Sequence, residues 1–323
     1  MKRGKRWVPF IMICIGFLVC GCSESVHGEA VHVPRVAGII STKSNYWQEM
    51  LRGMEEGCEE LGLSFFALDI SLQDKDVMTW SADEAWKIAV MSDVDAIIAD
   101  GNLHDLEIVQ EARDKGIAIV LVDSDSQADL RDAYVGTDNV QAGRLAVQAL
   151  NDLYGINGEP IVVQSNADVK AVSDRFTGIC EALQQECPDM EIEYPQVPWY
   201  EDRSFNSSLE ETILAYPNLQ AIFGLMEPEA KVYAQVLKRL NMDQEIKLIT
   251  FDLSDEILGF LREGVIDAVV VQQSYEIGYQ SVKIVDMLLK GQKLERDTVY
   301  IDCFVLDQNN LSLFEEKEML ENE

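Results

Sequence analysis

The sequence predicts an α/β fold of two similar lobes, each built on a parallel β-sheet with helices on both faces. Short apolar runs alternate with amphipathic helical patterns along most of the chain, which is typical of buried parallel strands and their crossover helices. Apolar residues make up 47% of the 323 residues, which is enough for two domains with large cores. The alternation runs through two consecutive halves of similar rhythm and so favours two similar lobes, although no literal sequence repeat is visible.

The amino-terminal residues predict export and lipidation. Four basic residues within positions 2–6 precede a 14-residue apolar run, Trp7 to Cys20, which is shorter than the ~20 residues of a membrane-spanning helix and matches a signal peptide. The segment ends in Gly21-Cys22, which resembles a bacterial lipobox, so we predict that residues 1–21 are removed and that Cys22 is lipidated. Cys20 fits less well because the bulky Val19 would precede the cut. The alternatives are an ordinary secretory signal and an uncleaved anchor.

Charge and histidine content exclude several classes of function. Removal of residues 1–21 leaves 22 basic against 57 acidic residues, a net charge of −35, which predicts a surface that repels nucleic acid and anionic lipid. His27 and His32 lie in the polar tether of residues 22–34, so the folded part contains only His104, which we expect in a surface loop. A His-based catalytic triad or a His-rich zinc site is therefore excluded, and we predict no metal, no cofactor and no enzymatic activity.

The first half alternates strands and helices as far as residue 137. After the first strand, Trp47, Met50, Met54 and Cys58 recur at helical spacing, and Gly62 ends that helix. The next helix begins with a capping box formed by Ser81 and Glu84. The predicted strands are Val36 to Ser41, Leu63 to Leu68, Val94 to Ala99, Ile117 to Val122 and Ala133 to Val135, and a further helix runs from Leu106 to Lys115.

The second half repeats this rhythm from Asn139, which we expect to cap the next helix. We interpret Cys58 and Cys180 as small buried hydrophobes, with a Cys180–Cys187 bridge as the alternative. The acidic tail from Glu315 to Glu323 is expected to fray. The predicted strands are Pro160 to Gln164, Glu191 to Tyr194, Ala221 to Leu225, Ile246 to Phe251, Ala268 to Val271 and Val299 to Val305. The predicted helices are Asn139 to Leu153, Val169 to Gln185, Phe205 to Ala215, Pro228 to Leu240, Ser254 to Glu263 and Tyr275 to Lys290.

Two carboxylates directly follow the buried run that ends at Val122. Ligands bind outside the carboxyl ends of the strands in open α/β sheets, so Asp123 is a candidate ligand contact. Asp125 would point to the same side, and we interpret it as a loop or rim residue. A catalytic pair of these two carboxylates for glycoside hydrolysis is disfavoured, because strand-end carboxylates serve hydroxyl binding equally well.

An ordered set of short motifs lies between Val36 and Val305, nearly the whole mature chain. They are Ser44-Asn45-Tyr46-Trp47, Val122-Asp123-Ser124-Asp125, Tyr134-Val135-Gly136-Thr137-Asp138-Asn139, Ala142-Gly143-Arg144, Asp174-Arg175-Phe176-Thr177-Gly178, Phe251-Asp252 and Gln272-Gln273-Ser274-Tyr275-Glu276-Ile277-Gly278-Tyr279. The set resembles the periplasmic sugar-binding proteins of the ribose/galactose type, which have the periplasmic binding protein-like I fold.

The resemblance implies two Rossmann-like lobes joined by a three-strand hinge, with a ligand closed between the lobes by hinge bending. We expect residues 137–139 to be one hinge segment. The implied organisation is a first lobe of residues 35–137 plus 273–300, a second lobe of residues 138–272 plus 301–312, and an acidic tail of residues 313–323.

The resemblance also implies the binding residues. Tyr46 and Trp47 match positions of aromatic residues that stack on a sugar ring, and a further stacking aromatic is expected at Trp199. A core position is the alternative for Trp47, and a surface helix position is the alternative for Arg175. The positions implied for polar contacts are Ser44, Asp123, Arg175, Asp252 and Gln272.

Two positions depart from the pattern of the family. Ser124 stands where the family often has Arg, and Met226-Glu227 stands where it often has Asn-Asp. We include Ser124, Met226 and Glu227 among the binding residues. The exchanges remove several hydrogen-bond donors and predict a more apolar and more anionic site. We therefore expect a ligand other than ribose or galactose.

The resemblance implies an extracytoplasmic solute-binding lipoprotein that captures a sugar or sugar derivative. We expect a monomer, anchored to the cell membrane through its lipid, that delivers the ligand to an ABC permease. The alternative is a sensor with the same fold that reports the ligand to a histidine kinase or chemoreceptor. A transcription regulator with this fold would need a helix-turn-helix and a basic surface, so the export signal and the net charge of −35 exclude it.

Overall fold

Two six-stranded sheets form the framework of the protein, and helices cover them. The computed structural model describes residues 32–71, 80–163, 169–188, 192–193 and 205–321. The predicted signal peptide and Cys22 therefore lie outside the described residues, as does nearly all of the tether. The strands are β1 Arg35–Ile40, β2 Ser64–Asp69, β3 Ala96–Asp100, β4 Ala118–Val122, β5 Ala133–Gly136, β6 Ile161–Val163, β7 Ile192–Glu193, β8 Ala221–Gly224, β9 Lys247–Phe251, β10 Ala268–Gln272, β11 Thr298–Tyr300 and β12 Cys303–Asp307.

The helices connect these strands as the alternating pattern predicts. Local sequence signals mark the ends of two helices. Ser81 and Glu84 form a capping box at the start of α2, and Gly62 ends α1 in the left-handed region. The helices are α1 Asn45–Leu61, α2 Ala82–Met91, α3 Leu106–Asp114, α4 Asn139–Tyr154, α5 Lys170–Glu186, α6 Phe205–Ala215, α7 Glu227–Leu240, α8 Asp255–Glu263, α9 Ser274–Leu289 and α10 Leu311–Glu321.

The two sheets have the same strand order, although the edge strands β11 and β12 run in different directions relative to their neighbours. The first has the order β11-β5-β4-β3-β1-β2 and the second has the order β12-β10-β9-β8-β6-β7. Equivalent positions in the two sheets also make equivalent hydrogen bonds. Asp132, just before β5, accepts from the Ile119 N–H at 2.8 Å, and Asp267, just before β10, accepts from the Leu248 N–H at 2.8 Å. The predicted pair of similar lobes is therefore confirmed at the level of topology.

Each sheet has an apolar core on both faces. In the first lobe Met50 and Val282 belong to the core on the α1/α9 face, and Trp86 and Val109 belong to the core on the α2/α3 face. The second lobe has the same arrangement, with α4 and α5 on one face and α6, α7 and α8 on the other. Because strands buried on both faces are nearly all apolar, the sequence showed them as continuous short runs.

The chain crosses between the lobes three times, as the resemblance implies. It passes from β5 to α4, from β10 to α9, and from β11 to β12. The third crossing corrects the prediction of one strand from Val299 to Val305, because that stretch contains two strands of different sheets. β11 ends at the carboxyl edge of the first sheet, so the chain enters the second sheet at the same edge. β12 must therefore run antiparallel to β10, whereas the other strand pairs described in both sheets are parallel.

Three further expectations differ from the structure. Asp138, and not Asn139, caps α4 by accepting from the Gln141 N–H at 3.0 Å, because the Asn139 side chain is engaged elsewhere. The tail forms the helix α10 as far as Glu321, and Arg262 binds Glu315 in its second turn at 2.6 Å. Cys58 is buried as predicted, but Cys180 is only half-buried, and Cys187 is a thiol, so the alternative bridge between Cys180 and Cys187 is not formed.

None of the helices in the described part of the chain has both the length and the hydropathy needed to cross a membrane.

Candidate functional site

A cavity of about 760 Å³ lies at the carboxyl ends of strands from both sheets. The start of α1 and the ends of β3 and β4 form its first-lobe wall, and the starts of α5 and α7 with the ends of β9 and β10 form its second-lobe wall. The structure brings together nine of the predicted residues in this lining: Ser44, Tyr46, Trp47, Asp123, Arg175, Met226, Glu227, Asp252 and Gln272. These residues are far apart in the sequence, so their convergence identifies the cavity as the candidate binding site.

Asp123 is the strand-end carboxylate of the first lobe. Its φ of 63° lies in the left-handed region, which aspartate tolerates better than most residues. Its backbone oxygen accepts from the Tyr134 hydroxyl at 2.9 Å, and its Oδ2 accepts from the Ser124 hydroxyl at 3.0 Å. Ser124 is only 1% exposed and is absent from the cavity lining, so it supports Asp123 from behind instead of facing the cavity.

Asp100 is a second first-lobe carboxylate, and the sequence reasoning did not select it. It ends β3, next to β4, and its Oδ1 accepts from the backbone and side-chain nitrogens of Asn102, both at 3.0 Å. Burial raises the pKa of Asp100 to about 7, and the Asp123 carboxylate adds to the rise. The following residue is Gly101, whose absent Cβ would lie 1.5 Å from the Ser124 oxygen, so only glycine allows the two loops to approach this closely.

Asp252 is the equivalent carboxylate of the second lobe. It follows β9 as Asp123 follows β4, and its φ is 65°. Its Oδ1 accepts from Gln272 Nε2 at 2.7 Å, and its Oδ2 lies 3.7 Å from Arg175 Nη1. Burial raises the pKa of Asp252 above its ordinary value, although Arg175 and Gln272 oppose the shift. Unlike Asp123, this carboxylate therefore has a cationic partner inside the protein.

Arg175 is a buried cation, so the alternative of a surface helix position is wrong. Its side chain is 3% exposed and lies over the Phe251 ring at 4.7 Å. Nε donates to Asn139 Oδ1 at 2.9 Å, and Nη1 donates to the Leu225 oxygen at 2.7 Å. Asn139 in turn donates to the Asp123 oxygen at 3.4 Å, so one amide connects the strand end of the first lobe to the arginine of the second.

Close packing of α4 on α5 determines the position of Arg175. A Cβ at Gly143 would lie 2.1 Å from the Arg175 oxygen, and one at Gly178 would lie 2.0 Å from the Val140 oxygen. Gly143 and Gly178 therefore allow the close approach of the two helices. The neighbouring Arg144 is partly exposed and forms an ion pair with Glu181 at 2.7 Å, which agrees with a solvated helix face.

The two aromatic residues of α1 form one corner of the cavity. The rings of Tyr46 and Trp47 meet edge to face, with their centroids 5.2 Å apart. Trp47 is half-buried, lines the cavity and also packs against the first-lobe core, so its functional and core interpretations are compatible. The Tyr46 hydroxyl is buried and has no hydrogen-bond partner among the described residues. Burial raises the pKa of Tyr46 well above its ordinary value, and Asp123 and Asp252 add to this.

The start of α7 contributes an apolar and an anionic group. Met226 precedes the helix, and the Glu227 carboxylate binds Lys231 Nζ at 2.7 Å. Behind them Glu229 is fully buried, and burial raises its pKa to about 8 against the opposing effects of the Leu225 N–H and Arg175. The sequence did not single out Glu229 either, because a glutamate in the first turn of a helix is common.

The remaining candidates lie elsewhere. Trp199 is outside the described residues. Asp125 forms an ion pair with Arg131, which is 3% exposed, through bonds of 2.7 and 2.8 Å, so it is a structural residue beside the cavity. His104 is exposed and does not line the cavity. Among the described residues, no three His, Cys, Asp or Glu side chains are grouped as a metal site requires.

The sequence and fold match known binding proteins. A family model described as a periplasmic binding protein domain matches residues 36–293. The ribose import binding protein of Bacillus subtilis (strain 168) is 20% identical over 260 residues, which cover 80% of this chain and 82% of that protein.

Solved structures of sugar-binding proteins have the same fold. A glucose-galactose binding protein from Geobacillus stearothermophilus has a TM-score of 0.76 and 26% identity, and the match covers 87% of this chain and 99% of that one. A carbohydrate transporter solute-binding protein from Agrobacterium radiobacter, in complex with D-arabinose, has a TM-score of 0.76 and 23% identity, with 90% and 99% coverage.

The chemistry of the cavity suits a small polar molecule. Carboxylates accept hydrogen bonds from hydroxyl groups, Arg175 and Gln272 can donate, and an aromatic corner can cover an apolar ring face. The groups come from two lobes connected by three chain segments, so one molecule in the cavity would touch both lobes.

Proposed function

The chain belongs to the periplasmic binding protein domain family, and on this basis we propose that it is an extracytoplasmic solute-binding protein for a sugar or sugar derivative. The observation that carries the proposal is one cavity lined by strand-end carboxylates of both lobes and by two aromatic residues of the first lobe. The matched relatives are named for binding sugars and not for catalysis, so the protein is a binding protein and not an enzyme.

The ligand-binding roles of the individual residues are part of this proposal. Asp123 accepts hydroxyl groups from the first-lobe side, and Asp252, Arg175 and Gln272 contact the ligand from the second-lobe side. Tyr46 and Trp47 cover its apolar face. Ser44, Met226 and Glu227 complete the wall, and Ser124 acts through Asp123. Trp199 is proposed as a further stacking aromatic on the basis of the resemblance alone.

The cellular role follows from the family. The relatives include import binding proteins, so we propose that the loaded protein delivers its ligand to an ABC permease. It acts as a monomer of two lobes, with residues 35–137 plus 273–300 in one and residues 138–272 plus 301–312 in the other.

A thermal-shift screen of the purified full-length chain tests ligand binding. The panel contains neutral sugars, polyols, signalling furanosides and amino sugars, each at millimolar concentration. A ligand at 100 times its Kd stabilises the folded state by about 2.7 kcal/mol, which raises the Tm by several degrees. At least one compound is expected to produce such a shift, and a panel without any shift contradicts the proposed function.

Lipidation of Cys22 is proposed to hold the protein at the outer surface of the cell membrane. The proposal is supported by the Gly21-Cys22 pair after a 14-residue apolar run. Expression of the full-length chain in bacteria fed a radiolabelled fatty acid is expected to label the wild type and Cys20→Ser, but not Cys22→Ser. Label that persists in Cys22→Ser, or that is absent from the wild type, contradicts lipidation at this residue.

A further inference from the structure

The charges of the cavity are not balanced between its two walls. On the second-lobe wall, Asp252 lies 3.7 Å from Arg175, and Glu227 lies 2.7 Å from Lys231. On the first-lobe wall, neither Asp100 nor Asp123 forms an ion pair with any described residue, and each accepts hydrogen bonds only from neutral neighbours.

The only other lysine in the lining, Lys43, does not compensate for them. Its side chain is exposed and forms no ion pair within the described part of the chain, so its ammonium is hydrated at the mouth of the cavity. The buried Asp123 and the half-buried Asp100 therefore face the cavity from neighbouring strand ends without a cationic partner among the described residues. Closure of the cavity around a neutral ligand would leave that charge without water.

Tyr46 independently indicates that a ligand group belongs at this point. Its side chain lines the same cavity, is 8% exposed, and its hydroxyl has no partner among the described residues. The hydroxyl lies within electrostatic reach of Asp123 and Asp252. Buried hydroxyl groups are nearly always paired, so a molecule in the cavity is needed to satisfy it.

We propose that the ligand carries a positively charged amine as well as hydroxyl groups, and that the first-lobe wall of Asp100, Asp123 and Tyr46 binds the ammonium. This inference rests on the proposed function and specifies its substrate class. An ammonium has three N–H donors and no acceptor, which matches two carboxylates and a phenol oxygen. The hydroxyl groups of the ligand then face Asp252, Arg175 and Gln272, where charge is already compensated.

A metal ion is a weaker occupant of the same wall. A divalent cation takes six or more oxygen ligands, and the described residues contain no group of three or more His, Cys, Asp or Glu placed to hold one. The wall offers two carboxylates and one phenol, which suit a group that brings its own hydrogen-bond donors.

Calorimetry with matched ligand pairs tests the inference. D-galactose is compared with D-galactosamine and N-acetyl-D-galactosamine, and D-glucose is compared with its two corresponding derivatives, at pH 7 on the full-length chain. The amine of at least one pair is expected to bind at least tenfold more tightly than the neutral sugar and its N-acetyl derivative. The N-acetyl compounds keep the nitrogen but remove its charge.

Asp100→Asn separates the charge effect from a general loss of binding. Its Oδ1 can still accept from Asn102, so the variant is expected to fold, and Asp100→Ser serves as a second variant. Both should lose at least tenfold in amine affinity and less than threefold in neutral-sugar affinity. Asp129→Asn removes an exposed carboxylate of the same lobe outside the cavity and should change neither affinity.

The possible results distinguish a failure of this inference from a failure of the proposed function. Neutral sugars that bind as tightly as their amines, or an equal loss of both affinities in Asp100→Asn, overturn the inference and leave sugar binding intact. A panel in which none of these amines binds overturns the inference for hexosamines, and the thermal-shift screen then decides separately whether the proposed function stands.

Discussion

At the scale of single residues, the site depends on carboxylates in unfavourable positions. Asp123 and Asp252 have φ values of 63° and 65°, and desolvation makes the negative charges of the half-buried Asp100 and the buried Glu229 costly. Strained and desolvated groups of this kind concentrate at functional sites, where a ligand offsets part of the cost. These groups should therefore lower the stability of the ligand-free protein.

Asp100 gives this effect a definite pH dependence. Its pKa is raised from 3.8 to about 7 in the folded protein, so between these values the folded state binds more protons than the unfolded state. Stability from this group is therefore present at low pH, falls as the pH rises through this window, and is lost above about 7. Asp100→Asn removes the penalty, so its Tm relative to wild type should be higher at pH 8 than at pH 5.

Thermal unfolding of both proteins at the two pH values measures this difference. A change of 1 kcal/mol corresponds to about 2–4 °C for a domain of about 150–250 residues, so a relative shift of several degrees is expected. Asp129→Asn, with an exposed carboxyl, should show the same offset from wild type at both pH values. If the Tm difference between Asp100→Asn and the wild type is the same at both pH values, Asp100 does not have the raised pKa described above.

Single residues also show which features could be predicted from sequence patterns and which could not. Ser81 with Glu84 specified a helix start because a capping box is a local signal. Asp252 was proposed as a polar contact from the family resemblance, and the structure shows that it directly follows β9. Asp100 was missed because Asp100-Gly101-Asn102 has the composition of an ordinary turn. Only the order of β3 and β4 in the sheet places its carboxyl beside Asp123.

At the scale of secondary structure elements, packing and not propensity determined what was missed. The stretch from Val299 to Val305 has no glycine or proline to interrupt it, so it was predicted as one strand. Residues Ile301 and Asp302 nevertheless leave one sheet for the other, and β12 pairs antiparallel with β10. A long-range crossing of this kind has no local signature.

The helix pairs show a related limit. α1 packs on α9, and α4 packs on α5, through glycines on both partners of each pair: Gly53 faces the Tyr275 oxygen, and Gly278 faces the Met50 oxygen, in contacts where a Cβ would lie within about 2 Å of the backbone. The amphipathic pattern predicted each helix, but not its partner. These packings position Tyr46 on α1 and Arg175 on α5, so the geometry of the site depends on them.

At the scale of the whole molecule, two lobes with the same strand order contribute cavity walls that differ in charge. The strand ends after β4 and β9 both present aspartate in the left-handed region, but among the described residues only the second has an arginine partner. The common architecture was predictable from the alternation of strands and helices, whereas the difference in charge required the positions of Arg175 and Asp100. We propose that the protein binds its ligand between these walls, so each wall should contribute to affinity.

The most direct test of this central claim is the affinity of one ligand, measured by calorimetry, for Asp123→Asn and Asp252→Asn. Asparagine is chosen because it tolerates the φ values of 63° and 65° better than alanine. Each exchange replaces a charge-assisted hydrogen bond by a neutral one, so each should weaken binding by about tenfold or more, with Asp129→Asn as an unchanged control. Wild-type affinity in both cavity variants would contradict a ligand held between the two lobes.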